Sequence, residues 1–192
     1  LPLQAVRWGF DSLSASAHKL HGPKGCGVLY LRRGVRVQPR NIGGKQEGGI
    51  RCGTEAAPLI AAFGTAASLV PPWSAQQPHF EQLRQRLLEG LAGQADIRFH
   101  LPVGGVPYII HLSVPGLRSE TLLHYLAQRE IYVSSGSACA KGAKSPVLTA
   151  MGLPAEEIDS ALRVSLDHEN TMQEIESFIK VLLEAAETLA RR

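Results

Sequence analysis

No apolar run in this 192-residue sequence approaches the roughly 20 residues a helix needs to span a bilayer, so no membrane partner is expected. Nor is there a block of one charge. Twenty Lys and Arg stand against 17 Asp and Glu, a net +3 dispersed along the chain, which gives no basic patch for nucleic acid or an anionic lipid surface. Cysteine is scarce: Cys26, Cys52 and Cys139 form no C-x-x-C pair. An odd number at wide spacing excludes a disulfide framework and a zinc ribbon, points to a reducing, cytoplasmic setting, and leaves free thiols to be explained. The start offers no signal peptide, because Leu1-Pro2-Leu3 gives way to Arg7 and Trp8 rather than to an apolar segment with a cleavage site. There is no initiator methionine, and the chain reads as one whose start has been lost.

What is present suits a globular protein: 44% hydrophobic and 19% charged residues, enough to bury a core. Residues 1–55 are glycine-rich and broken by turns, with Gly27 to Leu31 as a short buried strand and Cys26 as a small core residue beside it. Asn41 to Thr54 carries five glycines in fourteen residues, a stretch that flexes or lets a backbone approach something closely. Thr54 is expected to cap a small-residue helix running to Val70, and Pro71-Pro72 to end it at a domain boundary. Beyond it the pattern alternates. A helix is expected from Ser74 to Ala92 with Phe80, Leu83, Leu87, Leu88 and Leu91 on one face, then a strand at Tyr108–Val114. A helix at Arg118–Arg129, short strands at Ile131–Val133 and Ala161–Leu166, and a final helix at Met172–Leu189 complete it. This is an α/β pattern in two unequal parts, residues 1–72 and 73–192.

Three constellations bear on chemistry. Lys19 lies in "SASAHKLHGPKG", small residues before it and a rigid turn after. It is either a solvated loop lysine or an amine presented to an aldehyde, for which it must be desolvated and unprotonated. The Ser16 hydroxyl and His18 imidazole beside it suit a phosphate. Cys139 lies in "VSSGSACAKGAKS", among small residues with Lys141 and Lys144 near to favour thiolate. It is either an incidental surface cysteine or a nucleophile on a mobile arm. Arg163 interrupts the apolar "ALRVSL", and either points to water from an edge strand or holds an anion bidentately.

Together these segments resemble one family. "SASAHKLHGPKGCGVLY", "GGKQEGGIRCGT", "VSSGSAC" and "ALRVSL" with "ENTMQEIESFI" are similar, in the same order, to the cofactor-lysine, Gly-rich, catalytic-cysteine and substrate-arginine segments of the NifS/IscS cysteine desulfurases. These are class V aminotransferases, and the likeness runs from about Asp11 to the C-terminus. It implies fold type I of the pyridoxal 5′-phosphate (PLP) enzymes. Residues 1–72 would be the C-terminal remnant of the PLP-binding large domain, and 73–192 the small C-terminal α/β domain. It implies that Lys19 holds PLP covalently and later moves protons, and that Ser16 and His18 bind its phosphate. Thr54 would reach the phosphate of a partner subunit in a homodimer, and Arg163 would hold the carboxylate of L-cysteine. Cys139 would take the substrate sulfur as a persulfide, releasing alanine, and pass it to an acceptor protein in iron–sulfur cluster assembly or a thiolation pathway.

The family chain is about twice as long, and the missing N-terminal half supplies further cofactor contacts and most of the large sheet. The isolated chain is therefore expected to be inactive, with exposed strand edges. A non-catalytic remnant or scaffold, and a selenocysteine lyase or other class V enzyme, are the alternatives. Of the seven histidines only His18 belongs to a motif; His100, His111 and the rest read as structural or solvated.

Overall fold

A computed structural model describes residues 4, 6–94, 96–135 and 145–189. Cys139, with Lys141 and Lys144, lies outside the described residues. The chain divides into two compact units, Leu1–Trp73 and Ser74–Arg192.

In the first unit, β1 (Ser12–Ser16) and β2 (Gly27–Leu31) form an antiparallel hairpin, in register from Ser12 opposite Leu31 to Ser16 opposite Gly27. Below it the Arg32 N–H donates to the Asp11 carbonyl at 2.9 Å, and the two side chains form an ion pair. The link between the strands opens with a single 3-10 turn, Ala17–Leu20. A second 3-10 turn spans Gln46–Gly49, and α1 spans Ala57–Leu69. The first turn packs on α1, with Ala17 fully buried.

Thr54 does not cap α1. The cap position is Ala56, and no side chain caps it. Pro58 explains the shift. A helix capped at Thr54 would put Pro58 in its fourth position, where its absent N–H would break the first intrahelical bond and its ring would strike the Thr54 carbonyl. Starting at Ala57 places the proline where no N–H is needed. Cys26 is also not core: it is half-buried, just ahead of β2.

The second unit is a three-stranded antiparallel sheet, β3 (Arg98–Phe99), β4 (Ile109–Ser113) and β5 (Ala161–Ser165), with β4 central. Its helices are α2 (Trp73–Leu91), α3 (Ser119–Ala127), the short α4 (Pro146–Ala150) and α5 (Ala155–Asp159), and α6 (Met172–Thr188). Phe80, Leu83, Leu87 and Leu91 line one stripe of α2, and Ile175, Phe178, Ile179, Leu182 and Ala185 one stripe of α6. Leu83, Leu87, Leu91, Ile175, Phe178, Ile179, Leu182 and Ala185 join Leu122 and Leu126 of α3 and one sheet face, Ile110, Leu112, Val114, Leu162 and Val164, in a single core. Each fully buried leucine there contributes on the order of 1.5–3 kcal/mol. Gly90 lets α6 come close, since a Cβ on it would lie 2.5 Å from Ile179 Cδ1. Thr171 starts α6 with a reciprocal cap: its hydroxyl accepts from the Glu174 N–H at 3.3 Å, and the Glu174 carboxylate accepts from the Thr171 N–H at 2.7 Å.

Ile131–Val133 is not a strand. The Ile131 N–H donates instead to the Leu126 carbonyl at 3.1 Å, closing the end of α3 over Glu130, whose φ is 60°. Pairing begins only at Ser134, which bridges to Arg163. Among the described residues no helix is long and apolar enough to cross a membrane.

Candidate active site

The first unit builds its part around the turn that carries Lys19. The Ala17 N–H donates to the Cys26 carbonyl at 3.0 Å, and the Ala17 carbonyl accepts from the N–H groups of His21 and Gly22, the latter at 2.9 Å. His21 is left-handed at φ 59°, and a Cβ on Gly22 would lie 3.0 Å from both the Cβ and the oxygen of Ala17. The sequence "HGPKG" thus folds the chain tightly back beneath Ala17. Ser16 ends β1, half-buried, with its hydroxyl capping nothing. His18 and Lys19 stand exposed on the turn, so the desolvation expected of Lys19 is not found within this unit. Among the described residues none of the three is engaged by another side chain.

A cavity of about 960 Å³ opens in the same unit between β2 and α1. Val28, Leu29, Ile60 and Phe63 give it an apolar wall, and Arg51 and Thr54 also line it. Thr54 is exposed, three residues ahead of α1.

Arg163 belongs to the second unit. The apolar residues of β4 and β5 alternate, so Ile110, Leu112, Leu162 and Val164 face the core while His111, Ser113 and Arg163 fall on the opposite face. Register then aligns four residues in one cross-strand row. His100 lies beside His111 with its N–H on the His111 carbonyl at 2.9 Å, His111 pairs with Arg163, and Arg163 pairs with Ser134. The Ser134 pairing is made by two backbone bonds, 2.6 Å and 3.2 Å. Ser134, five residues before Cys139 in the sequence, is thus held to the Arg163 backbone.

The two ends of the row differ. At the His100 end every group is satisfied: the Ser113 hydroxyl, fully buried, donates to the Glu157 carbonyl at 2.6 Å and accepts from His100 Nε2 at 2.8 Å. The Glu157 carboxylate, buried, pairs with Arg98 and lies 3.7 Å from His100 Nε2. The serine and the carboxylate meet the same ring nitrogen, so this is a structural network and not a relay from nucleophile to base to acid. At the Arg163 end, Arg163 Nε and His111 Nδ1 are both buried and have no hydrogen-bond partner. No carboxylate among the described residues pairs with Arg163. Burial, then the charge of Arg163, then His100 hold the His111 ring below the ordinary histidine value of 6.5. Burial does the same to His100, against the pull of Glu157.

The structure therefore puts His18 and Lys19 on one turn with Ser16 just ahead of it at the end of β1, sets Thr54 on the cavity of the same unit, and puts Arg163 in the other unit. His111 and Ser134 were not singled out from the sequence. The parity of "YIIHLSV", which turns His111 away from Ile110 and Leu112, was the available signal.

A protein-family model described as aminotransferase class-V matches residues 1–178. A NifS/IcsS protein homolog of Lactobacillus delbrueckii is 38% identical over 174 residues, covering 88% of this chain and 45% of that protein. The cysteine desulfurase IscS of Methanosarcina thermophila is 36% identical over 194 residues, covering 98% of this chain and 48% of the relative. Among solved structures, a NifS-like protein superposes with a TM-score of 0.88 at 34% identity, over 98% of this chain and 50% of that one. The chain spans about half the length of the curated relatives it matches.

Proposed function

The chain belongs to the class-V aminotransferase family, and from that premise we propose that it is the part of a cysteine desulfurase that carries the cofactor lysine, the substrate arginine and the sulfur-accepting cysteine. The reaction removes sulfur from L-cysteine, gives L-alanine, and leaves a persulfide on Cys139 for transfer to an acceptor protein.

The turn Ala17–Leu20 fits PLP chemically. It offers an amine and an imidazole on Lys19 and His18, and Ser16 just ahead of it at the end of β1 offers a hydroxyl, none committed to another side chain among the described residues. Lys19 would hold the aldehyde carbon, and Ser16 and His18 the phosphate. Bound there, PLP supplies an electron sink beside the substrate's α-carbon. Lys19 would move the proton at that carbon. Thr54 would serve the phosphate of a partner subunit in a homodimer. Arg163 would hold the substrate carboxylate, and the Cys139 thiol, with Lys141 and Lys144 near it in the sequence, would attack the substrate sulfur.

The observation that carries this reading is the Arg163 guanidinium: a cation with a buried, unpartnered Nε, no carboxylate paired with it among the described residues, and a backbone bridge to Ser134, five residues before Cys139 in the sequence. A half-buried cation with a buried, unpaired N–H calls for an acceptor, and an anion suits it. The exposed β2, with Val28 and Leu29 each about half exposed at 49% and 52%, supports the view that activity requires the rest of the family fold. The acceptor pathway, cluster assembly or thiolation in a cytoplasmic setting, follows the family.

The test is alanine release from L-cysteine by the full-length PLP-loaded protein. Cys139→Ser is expected to abolish alanine release while the visible cofactor band remains. A variant that keeps releasing alanine, or that loses the band, contradicts the assigned roles.

A further inference from the structure

One residue beside Arg163 is left unassigned by this reading. His111 sits directly across the β4–β5 ladder from Arg163, on the face away from the core. Directly opposed residues on one sheet face hold their Cβ atoms about 4.5–5.5 Å apart, within reach of a single small anion. Each contributes one buried nitrogen with no partner, Arg163 Nε and His111 Nδ1. Buried polar nitrogens are almost always bonded, so two orphans side by side mark a place where a ligand with two acceptors belongs.

The charges around them select the ligand. Arg163 is permanently cationic, and its Nε–H can only donate. His111 is kept neutral by burial and by the flanking Arg163 and His100, and a neutral ring with its proton on Nδ1 also donates. The nearby carboxylate, that of Glu157, is taken by Arg98 and lies at the His100 end of the row. Among the described residues the Arg163 end thus presents two unpaired donors, one positive charge and no carboxylate. A carboxylate, planar with two oxygens, meets both donors at once; a neutral amide meets one and leaves its own N–H facing a donor.

We propose that His111 is the second half of the carboxylate site, its Nδ1–H and the Arg163 Nε–H each binding one oxygen of the same substrate carboxylate. This rests on the desulfurase reading for the identity of the substrate, but it adds a binding residue and a requirement for the Nδ1–H tautomer.

The test uses the full-length protein labelled with ¹⁵N at arginine and histidine, titrated with L-alanine and, as a control without a carboxylate, with L-alaninamide. L-Alanine should move the Arg163 Nε–H and His111 Nδ1–H signals with one midpoint, and L-alaninamide should move neither. His111→Leu should weaken L-alanine about tenfold or more, the effect of losing one hydrogen bond to a charged group. His111→Asn, which restores a donor, should stay within about threefold of wild type. If Arg163 responds while His111 does not, and His111→Leu binds as wild type, the role of His111 is overturned and the desulfurase reading stands. If neither residue responds, the carboxylate site itself is wrong and both readings fall. If His111→Leu and His111→Asn weaken binding equally, the ring acts by packing and not as a donor, and the proposal is overturned.

Discussion

Replacing Ser113 by alanine tests the buried network that holds the far end of the His100–His111–Arg163 row. The serine is fully buried, so nothing from solvent replaces its hydroxyl. The substitution removes two bonds, the 2.6 Å donation to the Glu157 carbonyl and the 2.8 Å acceptance from His100 Nε2. The Glu157 carbonyl then keeps only the longer 3.3 Å bond from the Ser160 hydroxyl, which it shares with the Glu156 carbonyl, at a cost of about 0.5–1.5 kcal/mol. The His100 N–H is only partly rescued, because the Glu157 carboxylate lies 3.7 Å away and is already held by Arg98. Losing an oxygen adds little cavity, so the total should fall at about 1–3 kcal/mol. In a domain of this order that lowers Tm by roughly 4–12 °C. The assay is urea unfolding followed through amide signals of β4 and β5, which report the second unit and not the first. A loss under about 0.5 kcal/mol would refute the reasoning, since it would mean that water or a rearranged side chain satisfies both groups.

Acidification should destabilise the second unit. His100 and His111 are both held below 6.5 in the fold, chiefly by burial, so the folded state favours their neutral forms. Their contribution is complete above about pH 6.5 and is lost as pH falls from there toward the folded values; urea midpoints at pH 7.5 and 5.5 should show the drop, and a flat profile would contradict it. Leu87→Ala should cost about 2–5 kcal/mol in the same unfolding assay, because Leu87 is fully buried at the centre of the α2 stripe. Thr171→Ala should cost about 1 kcal/mol and raise amide exchange in the first turn of α6, where the Thr171–Glu174 cap is lost.

The parts of this structure that could be read from the sequence are those with strong hydrophobic periodicity. The stripes of α2 and α6 and the apolar runs of β4 and β5 announce themselves, because burial of one face decides their conformation. Leu88 shows the limit: it was placed on the α2 stripe but is only half-buried. β1, "SLSAS", carries no comparable signal; its extension comes from pairing with β2, a tertiary effect that composition does not encode. The start of α1 was misplaced because Thr54 is a good cap in isolation, and the veto comes from Pro58 four residues on. At the site, Lys19 and Arg163 stood out as polar residues in confined or apolar surroundings. His111 did not, since a lone histidine in a strand looks ordinary until the register puts it across from Arg163 and leaves both nitrogens unpaired.

The central claim is that sulfur from L-cysteine passes to one thiol among Cys26, Cys52 and Cys139 with the help of Lys19. It is tested most directly by mass spectrometry of peptides from the full-length PLP-loaded protein after a single turnover with L-cysteine. The account predicts one added sulfur atom on the Cys139 peptide, none on the peptides of Cys26 and Cys52, and none anywhere in Lys19→Ala. Sulfur on Cys26 or Cys52, or alanine formed with Cys139 left unmodified, would contradict it.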